Sequence, residues 1–329
     1  MTRSRARKLD LAVAPFRKVT LRLVRDDPAT AAALPTLEHR NIVLRMSRSI
    51  VFISSPLPEG ESFIPCTGIV ISWDGATKCA RVLTSYVYER HELQPKLCVQ
   101  LPDKSIVEGR LAFVNPHYSI AILEIVSDLP LQVPTFQYGA KYAQEILALS
   151  RDKNMCLVAR RGTILWGGKG GLVVDNGGSP VGMVYDEGPF APIISMSTAL
   201  SCIGMWEQFR CVARPVFKMD LTTVQLLSVS MREELSIKHN INDGFIVKDV
   251  DEDSDLERLG VRIGDMIFFQ DECGSTLPQI DDYLLSLGWK YLRGMKSMVL
   301  KLEVHDIAGP VRETITLPLE FFCRICRGA

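Results

Sequence analysis

The sequence predicts a mainly β protein, and three observations carry that expectation. Between Asn41 and Arg214, short runs of β-branched and apolar residues recur between Gly, Pro, Asp and Asn turns. That spacing is expected of an all-β sandwich or a pair of barrels. No long helical pattern alternates with these runs, which argues against a doubly wound α/β fold. Third, Gly167-Gly168-Lys169-Gly170-Gly171-Leu172 reads as a tight loop, because glycine supplies positive φ and close backbone approach.

The elements follow in chain order. Up to Arg25 the chain carries Arg3, Arg5, Arg7, Lys8, Arg17, Lys18, Arg22 and Arg25 against one acid, Asp10. This reads as a solvated basic tail, with an organelle transit peptide or a nuclear address as the functional alternatives. Scarce serine argues against the transit peptide. Asp26 to Leu37 is alanine-rich and reads as a short helix entering the first domain. Strands are expected over Asn41–Ser54, Gly68–Trp73, Ala80–Tyr86, Leu97–Leu101, Val107–Asn115, Ile120–Ile125, Glu145–Ser150 and Met155–Arg160. Tyr88–Gln94 and Ser197–Phe209 read as helices.

At 329 residues the chain has room for two or three domains. Lys plus Arg (38) equals Asp plus Glu (38), so no global field favours nucleic acid. Nine dispersed cysteines, an odd number, argue against a disulfide framework and for a reducing compartment. No apolar run reaches the length of a membrane span, and no secretory signal is visible. The expected location is intracellular and soluble, cytoplasmic or nuclear, with organelle import left open.

Motif order adds specificity. Cys66-Thr67-Gly68-Ile69-Val70-Ile71 precedes a hairpin at Asp74-Gly75, then Val82-Leu83-Thr84-Ser85-Tyr86-Val87. Next come Val99–Asp103 with Val107–Arg110, Tyr118–Ile125, the glycine loop, Leu172–Asn176 and Pro180–Val184. In this order, residues 41 to 212 resemble the HtrA/DegP-type serine proteases, which implies a trypsin-like double β-barrel. The resemblance places the catalytic histidine position on Val87, or on Tyr86 with a shorter turn. It places the aspartate position on Ser119 and the nucleophile on Lys169. Valine accepts no proton, a neutral hydroxyl does not stabilise an imidazolium, and lysine replaces the hydroxyl nucleophile. The triad therefore reads as degenerate, with no catalytic residue.

Displaced candidates are His91 and His117 as bases and Ser179, in Gly177-Gly178-Ser179-Pro180, as nucleophile. The histidines read as solvated and Ser179 as a turn residue. Lys169 acting as a base beside a serine has no counterpart in the loop arrangement of Ser–Lys enzymes. Its ammonium reads as lying across the old oxyanion hole or reaching water.

The C-terminal part carries a second pattern: Asn242-Asp243-Gly244-Phe245-Ile246-Val247, then Val250, Ser254–Val261 and Ile263-Gly264-Asp265-Met266-Ile267. Asp253 or Ser254 suits a helix start, and Gly260 a left-handed stop. The set resembles the core of a PDZ domain, with Ile280–Leu287 as groove helix and Met298–Val304 and Glu313–Leu317 as closing strands. Protease domain followed by PDZ domain is the HtrA order. The resemblance implies strand addition of a C-terminal or extended peptide. Asn242, Asp243, Gly244, Phe245, Ile246 and Val247 would bind it, with Tyr283 or Leu284 of the helix. Asp243 brings a negative charge near the incoming carboxylate.

Cys323-Arg324-Ile325-Cys326 lacks the further ligands of a zinc site and the βαβ context of a redox pair, and reads as free thiols on a tail. The expected organisation is 1–40 basic segment, 41–214 protease-fold domain, 215–322 PDZ-like domain and 323–329 tail. The expected function is peptide or protein binding, or regulation, by an inactive HtrA-like homologue through its PDZ-like domain. The alternative is an active endopeptidase using displaced residues. No cofactor, metal or nucleic acid is expected. The resemblance also implies homo- or hetero-oligomers with HtrA-like proteins.

Overall fold

The computed structural model describes residues 28–54, 66–85, 97–136, 144–152, 154–163, 171–184, 193–270, 276–307 and 312–325. Two helices come first, α1 (Pro28–Ala33) and α2 (Leu37–Met46). Thr36 caps α2, its Oγ1 accepting the His39 N–H at 3.2 Å. Ile42, Val43 and Met46 form its buried face, the i, i+1, i+4 spacing of a helix stripe. Six strands follow: β1 (Ile50–Ser54), β2 (Cys66–Asp74), β3 (Cys79–Ser85), β4 (Leu97–Gln100), β5 (Ile106–Asn115) and β6 (Ile120–Val126). They close into a barrel in the order β1-β2-β3-β6-β5-β4. Val51, Ile53, Val70, Val82, Val99, Leu123 and Ile125 fill it, alternating along their strands as the pleat requires.

The second sheet holds β7 (Glu145–Arg151), β8 (Leu157–Thr163), β9 (Gly171–Asp175), β10 (Pro180–Val184) and β11 (Ile193–Ser195) in the order β11-β10-β9-β7-β8. Among the described residues it is open, so of the two barrels expected one is closed and the other is a five-stranded sheet. Helix α1 packs on edge strand β8. Thr30 Oγ1 accepts the Ala159 N–H (3.1 Å) and lies 3.4 Å from its carbonyl oxygen, so a side chain serves backbone groups that the open edge leaves over. Helix α3 (Met196–Phe209) follows and ends on Arg210 in the left-handed region.

Arg151 ties the two sheets together. Its guanidinium donates to the carbonyls of Ile50 (2.8 Å), Ser47 (2.6 Å) and Met155 (2.9 Å), and its N–H to Thr67 Oγ1 (3.1 Å). One apolar cluster runs through both sheets and includes Ile50, Leu83, Tyr118, Leu149, Leu172, Met183 and Trp206.

The C-terminal unit starts from β12 (Cys211–Pro215) and contains β13 (Met219–Thr223), α4 (Val229–His239), β14 (Phe245–Val250), α5 (Asp255–Arg258), β15 (Met266–Phe269), α6 (Leu277–Leu292), β16 (Val299–His305), β17 (Arg312–Pro318) and β18 (Phe321–Ile325). Strands β13 to β17 form one sheet in chain order, and β12 pairs with β18 as a separate ribbon. The sheet curls: Phe217, just before β13, reaches within 6.0 Å of the Phe269 ring on β15. Helix α6 divides its apolar residues between two cores. Ile280, Leu284 and Leu287 pack in the C-terminal core, while Leu285, Trp289 and Leu292 join the core of the two N-terminal sheets.

Three expectations are corrected. Asn41–Met46 is helix rather than strand, because Ile42, Val43 and Met46 bury on one helical face despite their β-branched character. The short helix expected over Asp26–Leu37 is present as α1, but the basic segment expected to run to residue 40 already contains the start of α2, and Ala33 within it is 5% exposed. Residues 323–325 continue β18, held by the β12 ladder from Pro215↔Phe321 to Cys211↔Ile325. Replacing Arg151 by Met, which leaves three carbonyls without their charged donor, is expected to lower stability by about 3 kcal/mol, read from urea unfolding of the whole chain.

Candidate functional site

The first candidate site is expected where the two sheets meet, β2 approaching β9 and β3 approaching β10. The β3–β6 ladder ends with Ser85 opposite Ile120, the residue directly after Ser119. Ser119 is described; Tyr86, Val87, His91, Lys169 and the glycines at 167, 168 and 170 lie outside the described residues. Ser119 sits in a tight turn, its N–H donating to the Pro116 carbonyl (3.3 Å), while Asn115 Oδ1 accepts the Tyr118 N–H (3.2 Å). Its φ is +50°, the left-handed region that costs a Cβ-bearing residue about 1–2 kcal/mol. Gly171 opens β9, and a Cβ there would lie 2.6 Å from the Leu149 carbonyl oxygen. The backbones meet too closely there for a side chain.

Other nucleophiles and bases can be weighed by geometry. Ser179 lies in the β9–β10 turn, where Asp175 Oδ1 accepts the N–H groups of Gly177 (2.9 Å) and Ser179 (2.8 Å). It is therefore at the opposite end of β9 from Gly171, about 15 Å away along a five-residue strand. The turn sits under α2: a Cβ on Gly178 would meet Ile42 and Arg45. The His117 ring meets Tyr118 edge-on at 4.7 Å. Burial and then the Arg214 charge hold its pKa down to about 4, so it is neutral at neutral pH and a poor proton acceptor. Cys66 Sγ lies 3.3 Å from Thr84 Oγ1 near the end of β3. Burial pushes this thiol up to about 11, which leaves little thiolate at neutral pH.

The second candidate site is on the C-terminal sheet, where the expected peptide strand is corrected. Strand β14 is paired on both sides, with β13 from Thr223↔Phe245 to Met219↔Val250 and with β15 at Phe245↔Ile267 and Ile246↔Met266. A strand already flanked on both sides has no edge to offer an added one. Phe245, Val247 and Leu284 are core residues at 2%, 1% and 0% exposure. Tyr283 packs against Phe269 at 6.3 Å. The Asn242–Gly244 turn is used internally: Asp243 Oδ1 accepts the Gly244 N–H (2.8 Å), and the Gly244 carbonyl accepts from Val224 (3.0 Å). Gly244 has φ +110°, as a turn glycine does.

The sheet edge next to α6 is β13. It ends the strand order and contacts α6. Met219 and Thr223 point inward, Leu221 is half-buried and Asp220 is exposed. At its start, the Val216 N–H already donates to the Glu320 carbonyl (2.8 Å). The chain's own β17–β18 connection thus closes that end of the edge. Sequence reading missed this strand because a five-residue stretch with Asp220 inside it carries little apolar alternation.

No protein-family model and no curated protein matches the sequence. The fold neighbours are HtrA-type serine proteases. A serine endoprotease from Yersinia pestis is 15% identical, at a TM-score of 0.48 over 88% of this chain and 99% of the other. The HtrA-type protease AlgW with a decapeptide is 16% identical, at 0.50 over 87% and 98%. AlgW with a tripeptide is 16% identical, at 0.51 over 87% and 97%. At such identities the likeness is one of fold.

Among the described residues, no group of three or more His, Cys, Asp or Glu side chains could hold a metal ion, and no helix is long and apolar enough to cross a membrane. The seven cysteines among them form no disulfide. Because Ser119 holds a left-handed φ, Ser119→Gly is expected to leave stability within about 1 kcal/mol of the parent. Ser119→Val is expected to lower it by about 2 kcal/mol. Chemical denaturation of the two variants side by side checks this.

Proposed function

We propose that the chain is an HtrA-like protease homologue without peptidase activity, which binds the C-terminal ends of partner proteins through a PDZ-like domain. The observation that carries the reading is that β13 is an edge strand of its sheet beside α6, with no second strand on its outer side among the described residues. An extended peptide can add to this edge antiparallel, using main-chain hydrogen bonds for affinity and the Leu221–Tyr283 side for a terminal apolar side chain. Such a peptide would end near Met219, where Glu320 and β18 leave no room to continue. The fold likeness to a peptide-bound HtrA-type protease supports this reading.

The inactive half of the proposal rests on residue chemistry. Valine, serine and lysine stand at the three triad positions. Of the displaced candidates, Ser179 lies at the wrong end of its strand and His117 faces a guanidinium rather than a carboxylate. A general base needs a partner that stabilises its protonated form, and Arg214 does the reverse.

Two outcomes are expected. A serine-directed phosphonate should leave the full chain unlabelled, and casein should survive incubation with it; labelling lost in a Ser179→Ala variant would establish the active alternative. A screen of C-terminal peptides against the full chain should return binders. Leu221→Asp should weaken them at least about tenfold by burying charge in the groove, whereas Asp243→Ala should leave affinity unchanged. The opposite ranking would move the site back to the Asn242–Gly244 turn.

A further inference from the structure

The seam between α6 and the N-terminal sheets holds a cluster of buried and half-buried polar groups. Two adjacent carboxylates of α6 face it. Asp282 accepts the hydroxyls of Ser197 (2.5 Å) and Thr198 (2.6 Å) in the first turn of α3. There a negative charge is favoured by the helix's unsatisfied N–H groups. Asp281 faces Arg214 of β12 at 3.6 Å. The Arg214 guanidinium also lies 5.9 Å from the ring centre of Tyr118, in the β5–β6 turn beside Ser119. Tyr118 is 7% exposed, and among the described residues neither its hydroxyl nor Arg214 Nε makes a close hydrogen bond. At 3.6 Å the Asp281–Arg214 pair is longer than a charge-assisted hydrogen bond, so the seam leaves these polar groups poorly matched while Asp281 is ionised.

We infer that Asp281 is a proton-operated latch between the two halves of the molecule: with Arg214 and Tyr118 it holds α6 against the N-terminal sheets, and the hold tightens on acidification. The geometry gives the reason. The carboxylate loses water when α6 docks, and one long ion pair replaces that water poorly. A neutral carboxyl loses less on docking, and it brings a donor of its own. The side chain keeps 35% of its surface accessible, so a proton reaches it without the seam opening.

The titration agrees in sign. Burial pushes the Asp281 carboxyl up to about 6, opposed by the Arg214 guanidinium and, more weakly, by the nearby Tyr118 hydroxyl, while the Asp282 charge adds to it. Undocked, the same group returns to the ordinary carboxylate range. The docked form therefore binds the proton more tightly. Docking gains as pH falls through about 6 and the gain is lost as pH rises again.

The other groups around the seam do not reverse this. Asp282 is satisfied by two hydroxyls, and Cys202 of α3 is buried behind Tyr118. Burial raises the Tyr118 phenol well above its usual range, out of reach of mild acid. His117 faces Arg214 from the solvent side and titrates near 4. Its lowering comes from burial and then from the charge of Arg214, which remains on β12 when α6 leaves.

Hydrogen exchange of the full chain, corrected for the pH dependence of intrinsic exchange, tests the latch in α6 and the start of α3. Between pH 7.5 and 5 the opening equilibrium of the seam is expected to fall by up to about tenfold. Asp281→Asn, neutral at both values, should be flat and close to the acid form of the parent, and His117→Gln should keep the parent's slope. A parent without a slope, an Asp281→Asn protein that keeps it, or a His117→Gln protein that loses it overturns the proposal. NMR titration of the parent's Asp281 carboxyl is independent of how the variants fold. A midpoint near 6 supports the latch, and one in the ordinary carboxylate range overturns it.

Discussion

The structure depends on one helix serving two cores. Leu284 and Leu285 are neighbours in the chain and both are fully buried, yet they fill different cores: the C-terminal one for Leu284, the N-terminal sheets' for Leu285. A helix turns about 100° per residue, so adjacent positions can face different bodies only when both bodies pack on it closely. Gly288 makes the approach possible, since a Cβ there would sit 1.9 Å from the Ala213 carbonyl oxygen. About two turns along α6 from the seam's carboxylates, Trp289 donates from Nε1 to Ser201 Oγ at 2.9 Å and packs edge-on to Phe209. An apolar seam with a polar end is selective about its angle, because sliding α6 would uncover Leu285 and unpair Asp282 together.

That constraint reaches both candidate sites. The wall beside β13 is the same helix, so on the proposed reading a peptide enters a gap with one curled sheet on one side and a fixed helix on the other. A preformed gap loses little freedom on binding, and it selects for side-chain size. At the other end, Tyr118 precedes Ser119 directly. The turn that holds Ser119 is therefore backed by Arg214 of β12, which Asp281 of α6 faces in turn.

How legible this was in the sequence differs by range of interaction. Strands of the closed barrel could be read because their signal is local: Val51, Ile53, Val70 and Val82 alternate in their own segments. The helix over Leu37–Met46 was misread where Ile42 and Val43 mimic a strand, although Thr36 three residues before His39 is a cap signal. Helix α4 had a similar cue in Ser228, which accepts the Met231 N–H at 3.3 Å. β18 was invisible because its partner lies over one hundred residues earlier, and a pairing is a property of two segments. For the same reason Tyr118, Arg214 and Asp281, scattered through the chain, could not be grouped from spacing alone.

The misplaced peptide strand shows where pattern reading ends. Asn242-Asp243-Gly244-Phe245 has the composition of a loop leading into a strand, and a strand does begin at Phe245. What composition does not encode is which edge of that strand is already taken. Thr223↔Phe245 and Phe245↔Ile267 take both, and Phe245, at 2% exposure, fills the core instead of a groove. Of this sheet's two edge strands, β17 and β13, the one beside α6 is β13. Asp220 stands exposed on it, and polar or charged residues are what natural sheets place on edges that must not pair indiscriminately. The same residue that hid β13 from a hydrophobicity reading is thus consistent with an edge kept open for a selected partner.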